Sequence, residues 1–219
     1  MPDAAGLEAI RAGLAAVFER QYGPLRGAGL AVSPDTDVGF LQWTMQLLGP
    51  DGQIAADIAR AGIRDGDNIQ VAHEFFGIYD TAPPYAGRGI GRLFGAYSEQ
   101  WYRESGVQVI TLTAGLDDGG YVWAMAGYTW VDTPRDVIQR LAAAITHREG
   151  TPEELAQARV MLGRLEHGTF GSVSYPTPRD IATIGRTGEL ARLPSRDPRK
   201  TWFGRRVMKG STWQGQKAP

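Results

Sequence analysis

A strand, a glycine-rich turn and an amphipathic helix follow one another in the middle of the chain, and this unit most constrains the fold. Residues 69–79 are apolar on both faces, which is typical of a strand at the centre of a sheet. The turn Gly87-Arg88-Gly89-Ile90-Gly91 follows it, and residues 91–105 then carry apolar side chains at helical spacing. Gly106 is expected to end that helix, and residues 107–113 to form a second buried strand.

Other elements precede this unit. Residues 4–21 have the apolar spacing of a helix that ends at Gly23-Pro24. Residues 38–48 and 53–63 are predicted strands, separated by a turn over residues 49–52, and residues 66–68 make the next turn.

After the unit we expect a short helix over 119–126, ended at Gly127, and a strand over 128–132. A second region starts at Thr133-Pro134 and contains helices over 136–146 and 152–165. Thr151-Pro152-Glu153-Glu154 is a capping sequence for the second of these helices. From residue 168 onward we expect loop, with short strands near 202–207 and 211–214. The expected domains are therefore a core over 1–132 and a C-terminal appendage over 133–219.

Composition excludes several classes of protein. The sequence has no cysteine, which rules out disulfides, zinc–thiolate sites and a thiol nucleophile. Its three histidines have no metal-ligand spacing, so no metal is expected. A net charge of -1 gives no general attraction to nucleic acid. No apolar run is long enough to span a membrane and no signal peptide is evident, so we expect a cytoplasmic protein.

The glycine-rich turn is suited to binding phosphate. Glycines at 87, 89 and 91 let consecutive backbone N–H groups point inward, and the helix that follows adds its positive end. Together they form a nest for a pyrophosphate, with Arg88 and Arg92 at its sides. The alternative is a tight strand-to-helix turn without a ligand. The turn lacks the further glycine of a dinucleotide-binding turn and the Gly-Lys-Ser/Thr of a P-loop.

Residues 85–93 resemble the acyl-CoA motif of the GNAT superfamily of N-acyltransferases, written Q/R-x-x-G-x-G/A. Gly89 and Gly91 match the motif, and Ala86 stands where Gln or Arg is usual. The order of elements over residues 38–132 is also similar, with Gly127-Tyr128 in the place of the family's Gly-Phe. The resemblance implies an α/β (α+β) fold: a mixed, mainly antiparallel sheet flanked by helices, here with a C-terminal helical and loop appendage.

What the resemblance implies is acyl transfer from an acyl-CoA, or a carrier-protein thioester, to an amine of a small molecule or peptide. The acyl group is acetyl or longer, and a fatty-acyl transfer to a peptide is one variant. In this family the pantetheine lies between the strands that correspond to 69–79 and 107–113. A backbone N–H of the first strand meets the thioester carbonyl, by position at Phe76, Gly77 or Ile78, and Gly77 is the expected site of a β-bulge.

The reaction also needs a base for the ammonium nucleophile. Glu74 is the first candidate and His73 the second, because adjacent strand residues face opposite ways. Simpler interpretations are an arginine-paired carboxylate and a core histidine. Trp123 stands where the family often has a Tyr acid, and the usual Asn is absent, so Tyr121 is the nearest substitute. These departures leave a catalytically inactive, GNAT-like binding module as the alternative.

Two features leave alternatives open. The many aromatic residues between 101 and 130 predict either ordinary core packing or a pocket for an apolar acyl chain. Residues 186–219 carry nine lysines and arginines against two acidic residues, together with Trp202, Phe203 and Trp213. This basic tail either packs on its own chain, which we favour because three exposed large aromatics are a liability, or recruits an acidic partner.

Overall fold

The computed structural model describes residues 26–34, 40–48, 54–65, 68–78, 90–104, 106–192 and 201–219. Within these ranges the chain forms seven strands and seven helices. In chain order they are β1 (Arg26–Pro34), β2 (Phe40–Leu48), β3 (Ile54–Asp65), β4 (Asn68–Ile78), α1 (Ile90–Glu104), β5 (Val109–Ala114), α2 (Leu116–Met125), β6 (Thr129–Trp130), α3 (Arg135–Thr146), α4 (Pro152–His167), α5 (Pro178–Ala182), α6 (Gly188–Arg192), α7 (Phe203–Met208) and β7 (Trp213–Lys217).

The chain divides into two compact units between Thr111 and Leu112, and residues 218–219 belong with the first. The fold class is as expected, a mixed and mainly antiparallel arrangement of strands with flanking helices. The domain boundary expected after residue 132 stays a prediction, because compact units and domains need not coincide.

The first unit contains the predicted strands. Its strand order is β1-β2-β3-β4-β5, and each of the first three neighbouring pairs is antiparallel. Strands β2, β3 and β4 confirm the predictions for residues 38–48, 53–63 and 69–79, and β1 was not predicted. The predicted helix over 4–21 and the turn over 49–52 lie outside the described residues. On β2 the exposed Gln42, Thr44 and Gln46 alternate with the other residues of the strand, as in a sheet with one polar face.

Helix α1 presents one face to the core of the first unit. Phe94, Ser98 and Tyr102 are buried at a spacing of four residues, so they lie on the same side of the helix. Gly106, with a φ of +74°, ends the helix as predicted. Its N–H donates to Arg103 O at 3.2 Å, and the next N–H, of Val107, donates to Tyr102 O at 2.9 Å. This pair of bonds is the Schellman motif, which satisfies the last carbonyl groups of a helix.

The second unit contains the end of β5 followed by β7 and β6 in hydrogen-bonded order. Strands β6 and β7 are antiparallel, and Thr129 pairs with Gln216. Helix α2 confirms the predicted short helix, and it stops before Gly127, whose φ is +87°. The strand expected over 128–132 is only two residues long. No helix among the described residues is both long and apolar enough to cross a bilayer.

Two helices of the second unit begin with the same capping arrangement. At the start of α4, Glu154 N–H donates to Thr151 Oγ1 at 3.2 Å and Thr151 N–H donates to Glu154 Oε2 at 2.9 Å. Thr177 and Asp180 form the equivalent box at α5, which was not predicted. Each box satisfies two N–H groups that have no partner inside the helix. The helix start predicted at Thr151 is therefore confirmed. At α3, Pro134 is the N-cap residue rather than the first helical residue.

The prediction of a strand near 202–207 is wrong, because these residues form the helix α7. Phe203 and Val207 are buried one helical turn apart, so packing favours the helix over local strand preference. The strand expected over 211–214 lies slightly later, as β7.

Trp202, Phe203 and Trp213 are each 3% exposed or less, and the basic tail therefore packs its aromatic residues within the second unit.

We predict that Gly204→Ala strongly destabilises the second unit. A Cβ added at Gly204 would lie 2.0 Å from Ile181 O, and backbone atoms of α5 cannot move away as a side chain can. Overpacking of this kind typically costs about 1–3 kcal/mol or more. Gly163→Ala is the matched control, since no atom lies within 4 Å of a Cβ at this mid-helix position. It should be neutral or stabilise by about 0.5–1 kcal/mol. Calorimetric melting of both variants is the measurement, and equal shifts would contradict the prediction.

Candidate active site

A β-bulge interrupts the pairing of β3 and β4 at Glu74. Phe75 pairs with Ala59, and the next residue of β3, Arg60, pairs with His73. One residue of β4, Glu74, is therefore additional, as in a bulge where two residues of one strand oppose one of the other. Asp57 and Gly77 pair in the regular register. The expected bulge at Gly77 is thus wrong, and the bulge lies three residues earlier.

The bulge changes which side chains of β4 face α1. The ring of His73 lies 5.8 Å from that of Tyr102, and the ring of Phe76 lies 5.6 Å from that of Phe94. Residues three apart on a regular strand would point to opposite faces. Because of the additional Glu74, both His73 and Phe76 pack against the same helix.

Glu74 itself is exposed. Gln42, also exposed, donates from Nε2 to Glu74 Oε2 at 2.9 Å across the intervening strand β3. His73 is only 6% exposed and packs against Tyr102. The two candidate bases therefore differ in access: a dissolved molecule can reach the Glu74 carboxylate, whereas the His73 ring is in the core.

Arg60 is a charged side chain in the core at the bulge, and it is only 1% exposed. Its Nη1 donates to Phe75 O at 2.6 Å and to Ala59 O at 2.7 Å. The Phe94 ring centroid lies 5.5 Å from its Cζ. Sequence reasoning missed this residue. The sequence could have indicated it, because Arg60 lies two residues after Ile58 on β3 and alternate residues of a strand face the same side. Both side chains are buried.

Burial of the Tyr102 hydroxyl raises its pKa above the ordinary value of 10.0. The nearby charge of Arg60 and a hydrogen bond from its guanidinium group act in the opposite direction, as does a hydrogen bond with Ser98. Burial outweighs them, so the phenol stays neutral in the folded protein at physiological pH.

The start of α1 lies close to β4 just after the bulge. A Cβ added at Gly91 would be 3.1 Å from Phe76 Cε1, so the absence of a side chain permits this close approach. Gly77 serves a different purpose from the one expected. The ring of Phe75 covers it, because a Cβ at Gly77 would lie 2.7 Å from Phe75 Cζ.

The structure describes only some of the other residues that were predicted to bind acyl-CoA. Gly87, Arg88 and Gly89 lie outside the described residues. Ile90 and Arg92 belong to the first turn of α1, and Ile78 is the last residue of β4, where it pairs with Ala56. Their assignment to acyl-CoA binding therefore stays a prediction.

Tyr121 belongs to the second unit. Its ring meets the edge of Trp202 at 5.6 Å, and Arg205 Cζ lies 5.1 Å from its centroid. Burial raises the pKa of Tyr121, and the charges of Arg205 and Arg186 partly oppose this rise. The phenol therefore carries its proton at neutral pH, as an acid must, but its catalytic role stays a prediction.

The aromatic residues between 101 and 130 pack against neighbouring rings within each unit. Trp101 contacts Tyr102 at 5.3 Å, Trp123 contacts Tyr128 at 5.5 Å, and Trp130 contacts Trp213 at 4.9 Å. These contacts support core packing, the first of the two interpretations.

A groove of about 440 Å³ lies on the second unit between α4 and α5. Its lining includes none of the predicted site residues, and its Asp180 takes part in the capping box of α5. In the part of the chain that the structure describes, no three His, Asp or Glu side chains gather closely enough to hold a metal ion.

The sequence matches no family model and no curated protein. Among solved structures it is similar to nourseothricin acetyltransferase, with 23% identity over 47% of this chain and a TM-score of 0.33. It spans 58% of that protein's length. A protein from Agrobacterium tumefaciens assigned to the acetyltransferases shares 15% identity, with 60% of this chain and 82% of that chain covered and a TM-score of 0.34. Malonyl-CoA decarboxylase from Cupriavidus metallidurans shares 12%, with 96% and 66% covered and a TM-score of 0.31. Likenesses this weak leave fold and activity to be argued from the chain's own residues.

We predict that the stability cost of Tyr102→Phe depends on pH. Near pH 8 the variant should lose about 0.5–1.5 kcal/mol, the usual contribution of one hydrogen bond. Because the pKa of Tyr102 is raised in the folded state, wild type loses stability as pH rises above 10.0. Phenylalanine has no proton to lose, so the deficit should shrink at about pH 11. Urea unfolding at both pH values is the measurement, and a constant deficit would contradict the raised pKa.

Proposed function

We propose that this chain is a GNAT-type acyltransferase that moves an acyl group from an acyl-CoA, or from an acyl-carrier thioester, to an amine of a small molecule or peptide. The observation that carries the proposal is the bulge at Glu74 in β4. It lies on the strand that precedes the glycine motif, and the last glycine of that motif, Gly91, approaches Phe76 just beyond the bulge. A strand, a glycine turn and a helix in this order are what the sequence resemblance implies.

In the proposed reaction the amine nitrogen attacks the thioester carbonyl carbon. A C–N bond forms, and the carbonyl oxygen takes up negative charge, which a backbone N–H from residues 76–78 stabilises. The C–S bond then breaks and the electron pair leaves with the CoA sulfur. The ammonium group gives one proton to the base before attack. The nitrogen of the tetrahedral intermediate then loses a second proton, to the base or to solvent, as the amide forms. The thiolate takes its proton from solvent or from Tyr121.

Glu74 rather than His73 is assigned as the base. An exposed carboxylate can meet a dissolved amine directly or through one water, whereas the His73 ring is shielded by Tyr102. The amide of Gln42 holds Oε2 of Glu74, and we assign Oε1 as the oxygen that accepts the proton. Gln42 thereby limits the rotation of the carboxylate.

The donor is assigned to the glycine turn and the start of α1. Backbone N–H groups of residues 87–91 would bind the pyrophosphate of acyl-CoA, and the first turn of α1 would add its positive dipole end. Arg88 and Arg92 would meet phosphate oxygens. The chain's own contribution is thus binding and orientation of the thioester, with proton transfer left to Glu74.

A non-enzymatic binding module is the second candidate, because Trp123 replaces the tyrosine of many family members. The two are separated by measuring CoA release from acetyl-CoA and from longer acyl-CoAs over a panel of amines and peptides. Turnover supports the enzyme and identifies the acyl length, including the fatty-acyl variant. Binding of acyl-CoA with no turnover of any amine would favour the module.

We predict that Glu74→Gln lowers kcat by about 10² to 10⁴ and flattens the rising limb of the pH profile. The affinity for CoA should barely change, because the carboxylate acts on the amine. Glu104→Gln is a closely matched control: Glu104 is also exposed and also accepts an amide N–H at 2.9 Å, from Gln100. A Glu74→Gln enzyme with the wild-type rate at neutral pH would move the role of base to solvent or to His73.

We also predict that Gly89→Val abolishes CoA binding while the protein stays folded. This expectation comes from the sequence, since a branched side chain in the turn would block the backbone N–H groups from the pyrophosphate. Gly95→Val is the control, because nothing lies within 4 Å of a Cβ at that position of α1. Calorimetric titration with CoA is the measurement. Unchanged affinity in a folded Gly89→Val protein would exclude the turn as the phosphate site.

A further inference from the structure

Arg60 differs from the other described residues in the core of the first unit, because its side chain carries a permanent positive charge. The side chain is 1% exposed, and a buried guanidinium group is tolerated only where several acceptors surround it. Two acceptors are the carbonyl oxygens of Phe75 and Ala59, at 2.6 and 2.7 Å from the same Nη1 atom. Phe75 and Ala59 are the paired residues that border the bulge.

The bulge gives a reason for a side-chain hydrogen-bond donor at this point. An additional residue in one strand disrupts the backbone ladder locally, so a carbonyl oxygen beside it loses its regular N–H partner. A buried carbonyl without a donor is costly, and a charged donor forms a stronger bond than a neutral one. Beside this disruption Arg60 adds a charged donor, and one atom donates to a carbonyl oxygen of each strand.

The same guanidinium group is also fixed from α1. Phe94 places its ring 5.5 Å from Cζ, and the charge of Arg60 acts on the nearby Tyr102 hydroxyl. Both residues are buried on one face of α1, the helix that starts beside Phe76. The position of Arg60 is thus set by the two strands and by the helix together.

We infer that Arg60 is a positioning residue for acyl transfer, which holds the Phe76 N–H in the direction of the thioester carbonyl. The inference rests on the proposed function. Phe75 C=O and Phe76 N–H belong to one planar trans peptide unit and point in opposite directions. Since the carbonyl is held between β3 and β4 by Arg60, the Phe76 N–H points to the edge of β4 that faces away from β3.

This geometry also distinguishes among the three predicted donors. N–H groups alternate in direction along a strand, so Gly77 N–H points back to β3, where Gly77 pairs with Asp57. Phe76 is the first residue after the bulge whose N–H faces outward, and its ring contacts both Gly91 and Phe94. The donor nearest to the bulge is therefore also the one most firmly held.

The test uses Arg60→Met, which keeps an unbranched side chain but has no donor, and Arg60→Lys, which keeps a charge and a single donor centre. Val71→Ala is the control for lost stability, because Val71 is buried in β4 before the bulge and has no part in holding Phe75 O. The first readout is the infrared carbonyl band of ¹³C-labelled acetyl-CoA bound to each protein. The second is the affinity for acetyl-CoA relative to its S-ethyl thioether analogue, in which a methylene replaces the carbonyl. The third is kcat with saturating amine.

We expect Arg60→Met to shift the carbonyl band toward that of free acetyl-CoA, to remove the preference for acetyl-CoA over the thioether, and to lower kcat by about 10- to 100-fold. Complete loss of an oxyanion donor costs about 10² to 10³ in kcat. Arg60→Lys should lie between wild type and Arg60→Met, and Val71→Ala should match wild type in all three readouts. If Arg60→Met does not fold, Arg60→Lys carries the test.

Wild-type values for the carbonyl band and kcat in a folded Arg60 variant would overturn the inference and leave the proposed function standing. A shift of equal size in Val71→Ala would overturn it as well, since general loosening would then be the cause. A wild-type protein that binds no acyl-CoA would overturn both. The three failures are therefore distinguishable from one another.

Discussion

The geometry of the first unit depends on one buried charge. The guanidinium group of Arg60 cannot be returned to water without opening the core, so the protein must surround it with acceptors and ring faces. Those partners come from β3, β4 and α1, and they fix how these elements meet. A core filled with aliphatic side chains would be less demanding about direction, because the hydrophobic effect is not directional. Here a directional interaction lies where the strand departs from regular pairing.

The second unit uses a carboxylate for a comparable purpose. Glu154 accepts the Thr151 N–H at the start of α4, and its other oxygen accepts the N–H of Phe203 at 3.4 Å. One side chain thus completes a helix start and holds the first residue of α7. The basic tail gains further ties, since Arg205 lies 3.8 Å from Asp118 and over the ring of Tyr121. Much of the tail's positive charge is therefore used inside the unit, which explains how a segment of that composition can be packed.

Sequence alone predicted what depends on local pattern. Strands β2 to β4, the helix α1 with Gly106 at its end and the capping box at Thr151 follow from spacing and capping chemistry that act within a few residues. The strand β1 was missed because its glycines and alanines obscure the alternation of side chains. Helix α7 was mistaken for a strand because its state is decided by burial of Phe203 and Val207. The residues near the site were placed on the right strand, but the bulge itself could not be located, because it depends on the register between β3 and β4 and on Arg60.

Because β4 contains a one-residue bulge, the number of residues in the strand matters independently of which residues they are. Side-chain direction has a period of two, so adding or removing a single residue reverses every later position of a strand. In this chain the additional Glu74 reverses the direction of the side chains of β4 after the bulge. Only because of that reversal do His73 and Phe76 pack against the same helix, α1. A homologous chain with a one-residue deletion at this point would keep nearly all of its identity with this sequence, yet its strand beyond the gap would be turned over. When homologues are aligned, a single gap in β4 is therefore a stronger sign of a changed site than several substitutions would be.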